Sequence, residues 1–136
     1  MSSQGSASNL NGADLQRSIA KWLINQGHDV AMEVKLGQRS AFHNVELRAD
    51  IVVNGGTIIE CKAFSGQPGT IWKKIVADIL AYSKIEQSVY IVLGNLVPPS
   101  VAIALKDAAG MIAPHIAVVI EDDFYVAASE WTSEQY

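Results

Sequence analysis

The stretch from Arg48 to Lys62, RADIVVNGGTIIECK, constrains the fold more than any other part of the chain. Ile51-Val52-Val53 and Thr57-Ile58-Ile59 are β-branched runs, and Asn54-Gly55-Gly56 between them supplies residues that tolerate positive φ. That pattern is a β-hairpin. Asp50 opens its first strand and Glu60-Cys61-Lys62 closes its second. Side chains alternate along a strand, so Glu60 and Lys62 share one face, Cys61 takes the other, and Asp50 comes beside the pair across the hairpin. Charges at the end of buried strands need partners. Two carboxylates suit a divalent metal ion, and the lysine is placed to hold a nucleophilic water or an anionic transition state.

The segments around the hairpin read as follows. Met1 to Asn11 is rich in Ser, Asn and Gly, a flexible leader, which leaves residues 12–136 as a single domain. Leu15, Ile19, Trp22 and Leu23 stand at helical spacing and predict an amphipathic helix from about Ala13 to Asn25. Asn11 or Asp14 caps it and Gln26-Gly27 stops it. His28 to Leu36 reads as the first strand, with Glu33 and Lys35 on one face. Gly37 to Asn44 is a polar loop holding Arg39 and His43, and Val45 to Val53 is the second strand, with Glu46, Arg48 and Asp50 on one face.

After a glycine- and proline-containing loop from Ala63 to Gly69, a helix is predicted from about Thr70 to Ile85, with a broad apolar stripe. Lys74, Asp78 and Tyr82 recur every four residues on it. They read either as a Lys–Asp helix pair beside a tyrosine at the core edge, or as part of the site. Val89 to Leu93 has the continuous apolar character of a central strand. Pro98 or Pro99 starts a helix running to about Ala113, and His115 to Ile120 is another buried strand. Glu121-Asp122-Asp123 reads as an acidic turn, Phe124 to Ala127 as a short edge strand and SEWTSEQY as a peripheral tail. The resulting order, α-β-β-β-α-β-α-β, is α/β: a mixed central β-sheet flanked by helices.

Composition bounds the function. With 49% hydrophobic and 18% charged residues in 136, the chain can bury one core without disulfides. One cysteine excludes an internal disulfide and a multi-cysteine zinc site, and fits a reducing cytoplasm. His28, His43 and His115 lack metal-ligand spacing. No apolar run reaches the roughly 20 residues of a membrane helix, and the N-terminus lacks a signal-peptide pattern, so a cytoplasmic protein without a membrane partner is expected. The net charge of −4 requires any basic patch to be local. It fits a domain that works as a homodimer or with a partner protein.

Asp50, a spacer of about ten residues and Glu60-Cys61-Lys62 resemble the D…(D/E)xK signature of the PD-(D/E)XK nucleases, the restriction-endonuclease-like superfamily. The element order matches that core from about Ala13 to Ile120. Asp78-Ile-Leu-Ala-Tyr82 resembles in part the Q-x-x-x-Y motif of nucleases similar to the RecB nuclease domain, with Asp in place of Gln, and the core is similar to that of RecB nucleases and Holliday-junction resolvases. The resemblance implies a Mg²⁺-dependent endonuclease that hydrolyses phosphodiester bonds, DNA favoured over RNA, with Mn²⁺ able to substitute. Asp50 and Glu60 are then metal ligands, together with the Cys61 backbone carbonyl, and Lys62 completes the catalytic set. In such nucleases the first helix often carries a supporting glutamate; here that region offers Asp14 and Gln16. Glu33, Lys74, Asp78 and Tyr82 are further accessory candidates, and Arg39, Arg48, Lys73 and Lys74 are candidate backbone contacts for nucleic acid.

Plainer readings stand beside these. Cys61 is a small buried hydrophobe, His43 an exposed loop residue, and Trp22 and Trp72 pack the core rather than stack bases. An RNA-cleaving or toxin-like nuclease of the same fold, and a catalytically inactive nucleic-acid- or protein-binding module, remain open alternatives.

Overall fold

The computed structural model describes residues 12–39, 46–63 and 68–131. Helix α1 (Gly12–Asn25) buries Leu15, Ile19, Ala20 and Leu23 along one side. It ends where Gly27 turns to φ 93°, a conformation open to glycine, with His28 N–H donating to Leu23 O and Gly27 N–H to Ile24 O. Strands β1 (Val30–Arg39), β2 (Glu46–Val53) and β3 (Thr57–Lys62) then form an antiparallel meander. The turn joining β2 to β3 is the Asn54-Gly55-Gly56 segment, with positive φ at Asn54 and Gly55. Asn54 also ties the hairpin back to the start of β1: its side chain accepts from Asp29 N–H and meets His28 Nδ1 at 3.0 Å.

From β3 onward the sheet is parallel. Helix α2 (Pro68–Tyr82) crosses over to β4 (Val89–Leu93), and α3 (Pro99–Ile112) crosses over to β5 (Ile116–Ile120). The five strands lie in the order β1-β2-β3-β4-β5, a mixed sheet in an α/β architecture. One face is covered by α2 and α3, through Ile71, Ile75, Ile79 and Leu105 packed on Ile91 and Leu93. The other is covered by α1 and the last helix, α4 (Glu121–Ala128). β3 alternates between the layers: Ile58 belongs to the α2–α3 side, Ile59 and Cys61 to the α1–α4 side.

Several boundaries differ from the sequence reading. The segment expected as an acidic turn and an edge strand is helix α4. Glu121, Asp122 and Asp123 occupy its first turn, where the helix dipole favours carboxylates. Phe124 is fully buried against Trp22, Tyr90 and Trp131, a helical docking contact instead of a strand pairing. Trp131, expected in a peripheral tail, thereby joins the core edge and also meets His28. β1 starts at Val30 and extends to Arg39, through residues expected in the loop. α2 ends at Tyr82, so Ile85 packs from a turn. The leader 1–11 and His43 lie outside the described residues. Among the described residues, no helix is long and apolar enough to cross a membrane.

Candidate active site

The β2–β3 ladder pairs Val53 with Thr57, Val52 with Ile58 and Ile51 with Ile59. At the next step it is replaced by side chains. Asp50 N–H donates to Glu60 Oε2 at 3.0 Å, and Cys61 N–H donates to Asp50 Oδ2 at 2.8 Å. Each carboxylate therefore satisfies a backbone amide of the opposite strand at the point where the strands part. Regular alternation also breaks there. Leu47 and Ala49 pack with the α2–α3 layer, whereas Ile51 and Val53, which would share their face on a regular strand, pack with the α1–α4 layer. β3 remains paired with β4 through Lys62, so one side of the crevice is rigid sheet.

Helix α2 closes the crevice from one side. Tyr82, buried at its last position, donates its hydroxyl to Glu60 Oε2 at 2.8 Å, and lies 3.3 Å from Arg48 O. One turn earlier, Asp78 Oδ2 stands 3.2 Å from Lys62 Nζ. The i, i+4 spacing of the helix advances about 6 Å, and two strand residues advance about 6.6 Å. Tyr82 and Asp78 therefore fall opposite Glu60 and Lys62. Asp78 pairs with Lys62 across the elements, the second of the two readings of the Lys74, Asp78 and Tyr82 row.

Helix α1 closes the other side. Gln16 Nε2 donates to Glu33 Oε2 at 2.9 Å and to Asp50 O at 3.2 Å. Glu33 holds φ 57° inside β1, a left-handed conformation that a non-glycine residue adopts only when its surroundings impose it. Its other oxygen lies 3.9 Å from the Arg48 guanidinium. α1 begins over the Cys61 carbonyl: a Cβ on Gly12 would stand 3.8 Å from that oxygen.

The site thus gathers Gln16, Glu33, Arg48, Asp50, Glu60, Cys61, Lys62, Asp78 and Tyr82. Other candidates stay apart. Asp14 forms an ion pair with Arg17 on the outer side of α1, which explains it as a helix-start residue. Lys73 and Lys74 are exposed on α2. Arg39 is paired with Glu46 at the end of β1, and its side chain lies outside the described residues. Cys61 is buried on the far side of β3, where burial pushes its thiol well above the usual range and removes it as a nucleophile.

Electrostatics set the state of the carboxylates. Burial, then the charge of Asp50, raises Glu60 to about 7, against the opposing hydrogen bonds from Asp50 N–H and Tyr82. Burial also raises Asp50, although the Cys61 amide and Lys62 act against it. Burial acts to lower Lys62, but Asp78 and then Glu60 and Asp50 outweigh it, and Lys62 is raised. Two crowded carboxylates that resist ionising together gain from a shared cation. Among the described residues, no group of three or more His, Cys, Asp or Glu stands ready to hold a metal ion. The candidate donors are instead the Asp50 and Glu60 carboxylates and the Cys61 main-chain carbonyl. These are all oxygens, and they suit Mg²⁺ with several retained waters better than Zn²⁺. Among the described residues, the hydrogen bonds of the site engage Asp50 Oδ2 and Glu60 Oε2, not Asp50 Oδ1 or Glu60 Oε1.

Tyr82→Phe is expected to destabilise the protein by about 1–2 kcal/mol at pH 8, because a buried acceptor loses its donor. Urea denaturation checks it. No family model matches the chain, and no curated protein or solved structure matches it significantly.

Proposed function

We propose that the chain is a metal-dependent endonuclease that hydrolyses phosphodiester bonds, with DNA favoured over RNA, on a restriction-endonuclease-like core. The observation that carries this reading is the Asp50–Glu60 pair where β2 and β3 part, Glu60 accepting from Asp50 N–H and Asp50 from Cys61 N–H, with Lys62 on the next residue. A buried pair of that kind resists ionisation unless it serves a cation. Asp50, Glu60 and the Cys61 carbonyl would hold Mg²⁺, with Mn²⁺ as a substitute. When bound, the cation acidifies water and offsets charge at the phosphate. Lys62 orients the attacking water and adds positive charge beside the phosphoryl oxygens. Water oxygen bonds to phosphorus, the P–O bond to the leaving sugar oxygen breaks, and that oxygen departs with a proton.

Carboxylates outnumber cations in the crevice, so the substrate backbone needs cations outside it. Lys74 lies one helical turn beyond Asp78, toward the open end of β3 beyond Lys62, and is exposed. Lys74→Ala is expected to make the fall of log Kobs with log salt shallower by about 0.7–0.9, one phosphate contact. Fluorescence anisotropy of labelled DNA checks it.

A second reading, a non-catalytic binding module with a structural ion cluster, is favoured by the Lys62–Asp78 pair and the amide bonds, which satisfy the cluster internally. Incubation with Mg²⁺ or EDTA across single- and double-stranded DNA and RNA tests the proposal. Magnesium-dependent cleavage supports it; intact substrates throughout favour the binding module.

A further inference from the structure

Lys62 has a long, flexible stem, and about 2 kcal/mol of rotamer entropy opposes fixing such a side chain in one place. Its side chain is 30% exposed at the end of β3, whose backbone is paired with β4. Catalysis that depends on an ammonium at a defined point beside a phosphate therefore needs something to hold it there. Asp78 is the carboxylate in contact. It projects from the middle turns of α2, flanked by Ile75 and Ile79, both fully buried, so its own backbone is fixed by the core. Its Oδ2 is buried and stands 3.2 Å from Lys62 Nζ. Among the described residues, Lys62 is the one cation within ion-pair distance of that oxygen.

We propose that Asp78 is the positioning residue for Lys62: through this ion pair, α2 fixes the ammonium beside Asp50 and Glu60. The inference rests on the nuclease reading above. The same helix positions two members of the site, Tyr82 holding Glu60 and Asp78 holding Lys62, because one helical turn matches two strand residues. Asp78 touches neither metal nor substrate and acts only through the lysine.

A double-mutant cycle tests this, with Asp78→Ala, Lys62→Ala and the double variant compared in single-turnover cleavage with Mg²⁺. Asp78→Ala is expected to lower the rate about 10–100-fold, with KM and Mg²⁺ affinity within about twofold of wild type. In the Lys62→Ala background the same substitution is expected to change the residual rate less than about twofold. Equal losses in both backgrounds would overturn the proposal, since Asp78 would then act independently of Lys62. A metal-free readout runs alongside: NMR relaxation of the Lys62 ε-carbon, ordered in wild type and mobile in Asp78→Ala. Equal mobility in both proteins overturns the positioning role. Failure of wild type to cleave any substrate, with Lys62 still ordered, overturns the nuclease reading itself and leaves the Asp78–Lys62 pair a structural contact.

Discussion

Lys62→Ala is expected to lower single-turnover cleavage by about 10³-fold or more, the scale of losing both water orientation and a preorganised charge at the phosphate. The fold should survive. Lys62 is a half-buried residue at the end of β3, and its β4 pairing runs through its backbone, which alanine keeps. What the substitution leaves behind is Asp78, with a buried oxygen and no cation. That residue is 25% exposed, so the loss should stay near about 1 kcal/mol, a few degrees of melting temperature for a domain of this size. Cleavage rates and a thermal melt of the same preparation separate chemistry from folding. Unreduced cleavage would remove Lys62 from the mechanism.

Glu60→Gln is expected to change how stability depends on pH. Glu60 has a folded pKa of about 7, above its ordinary 4.5. Between those values the folded protein keeps a proton that the unfolded chain has released. Stability without metal therefore falls as pH rises through that window, and the full penalty is present above pH 7. Its size is on the order of 3 kcal/mol. Burial raises Asp50 in the same direction, and raises Glu121 as well, against the hydrogen bond from Tyr125. Glutamine keeps an oxygen for Asp50 N–H and Tyr82 but carries no charge. In EDTA the denaturation midpoint of wild type should drop from pH 5 to pH 8, and that of Glu60→Gln should drop much less. Millimolar Mg²⁺ should restore wild type at pH 8 and leave the variant unmoved. Parallel pH profiles would show that Glu60 is not the strained acid of the site.

The parts of this site that are local in sequence were legible from it. Asn54-Gly55-Gly56 between two β-branched runs dictates the hairpin, and strand alternation then puts Glu60 and Lys62 toward α2 and Cys61 away from it. The four-residue spacing of Asp78 and Tyr82 carried a signal too. Its partners, however, lie on another element, and side-chain spacing within a helix cannot reveal that one turn matches two strand residues. The clasp by Gln16 and Glu33 was less visible, because it depends on a left-handed backbone at Glu33 that nothing in the sequence around it announces. Helix α4 was misread because a short segment with Phe124, Tyr125 and Val126 in succession has strand composition. Docking of Phe124 and Trp131 onto α1 and β4 decides for the helix.

We propose that Asp50 and Glu60 hold a divalent cation beside Lys62. Calorimetric titration of Mg²⁺ and Mn²⁺ into wild type and Glu60→Ala, with matched cleavage assays on DNA and RNA, tests it most directly. Saturable binding and metal-dependent cleavage are expected for wild type, lost together in the variant. If neither metal binds wild type, even with nucleic acid present, the carboxylates and lysine form a structural ion cluster and the nuclease reading is wrong.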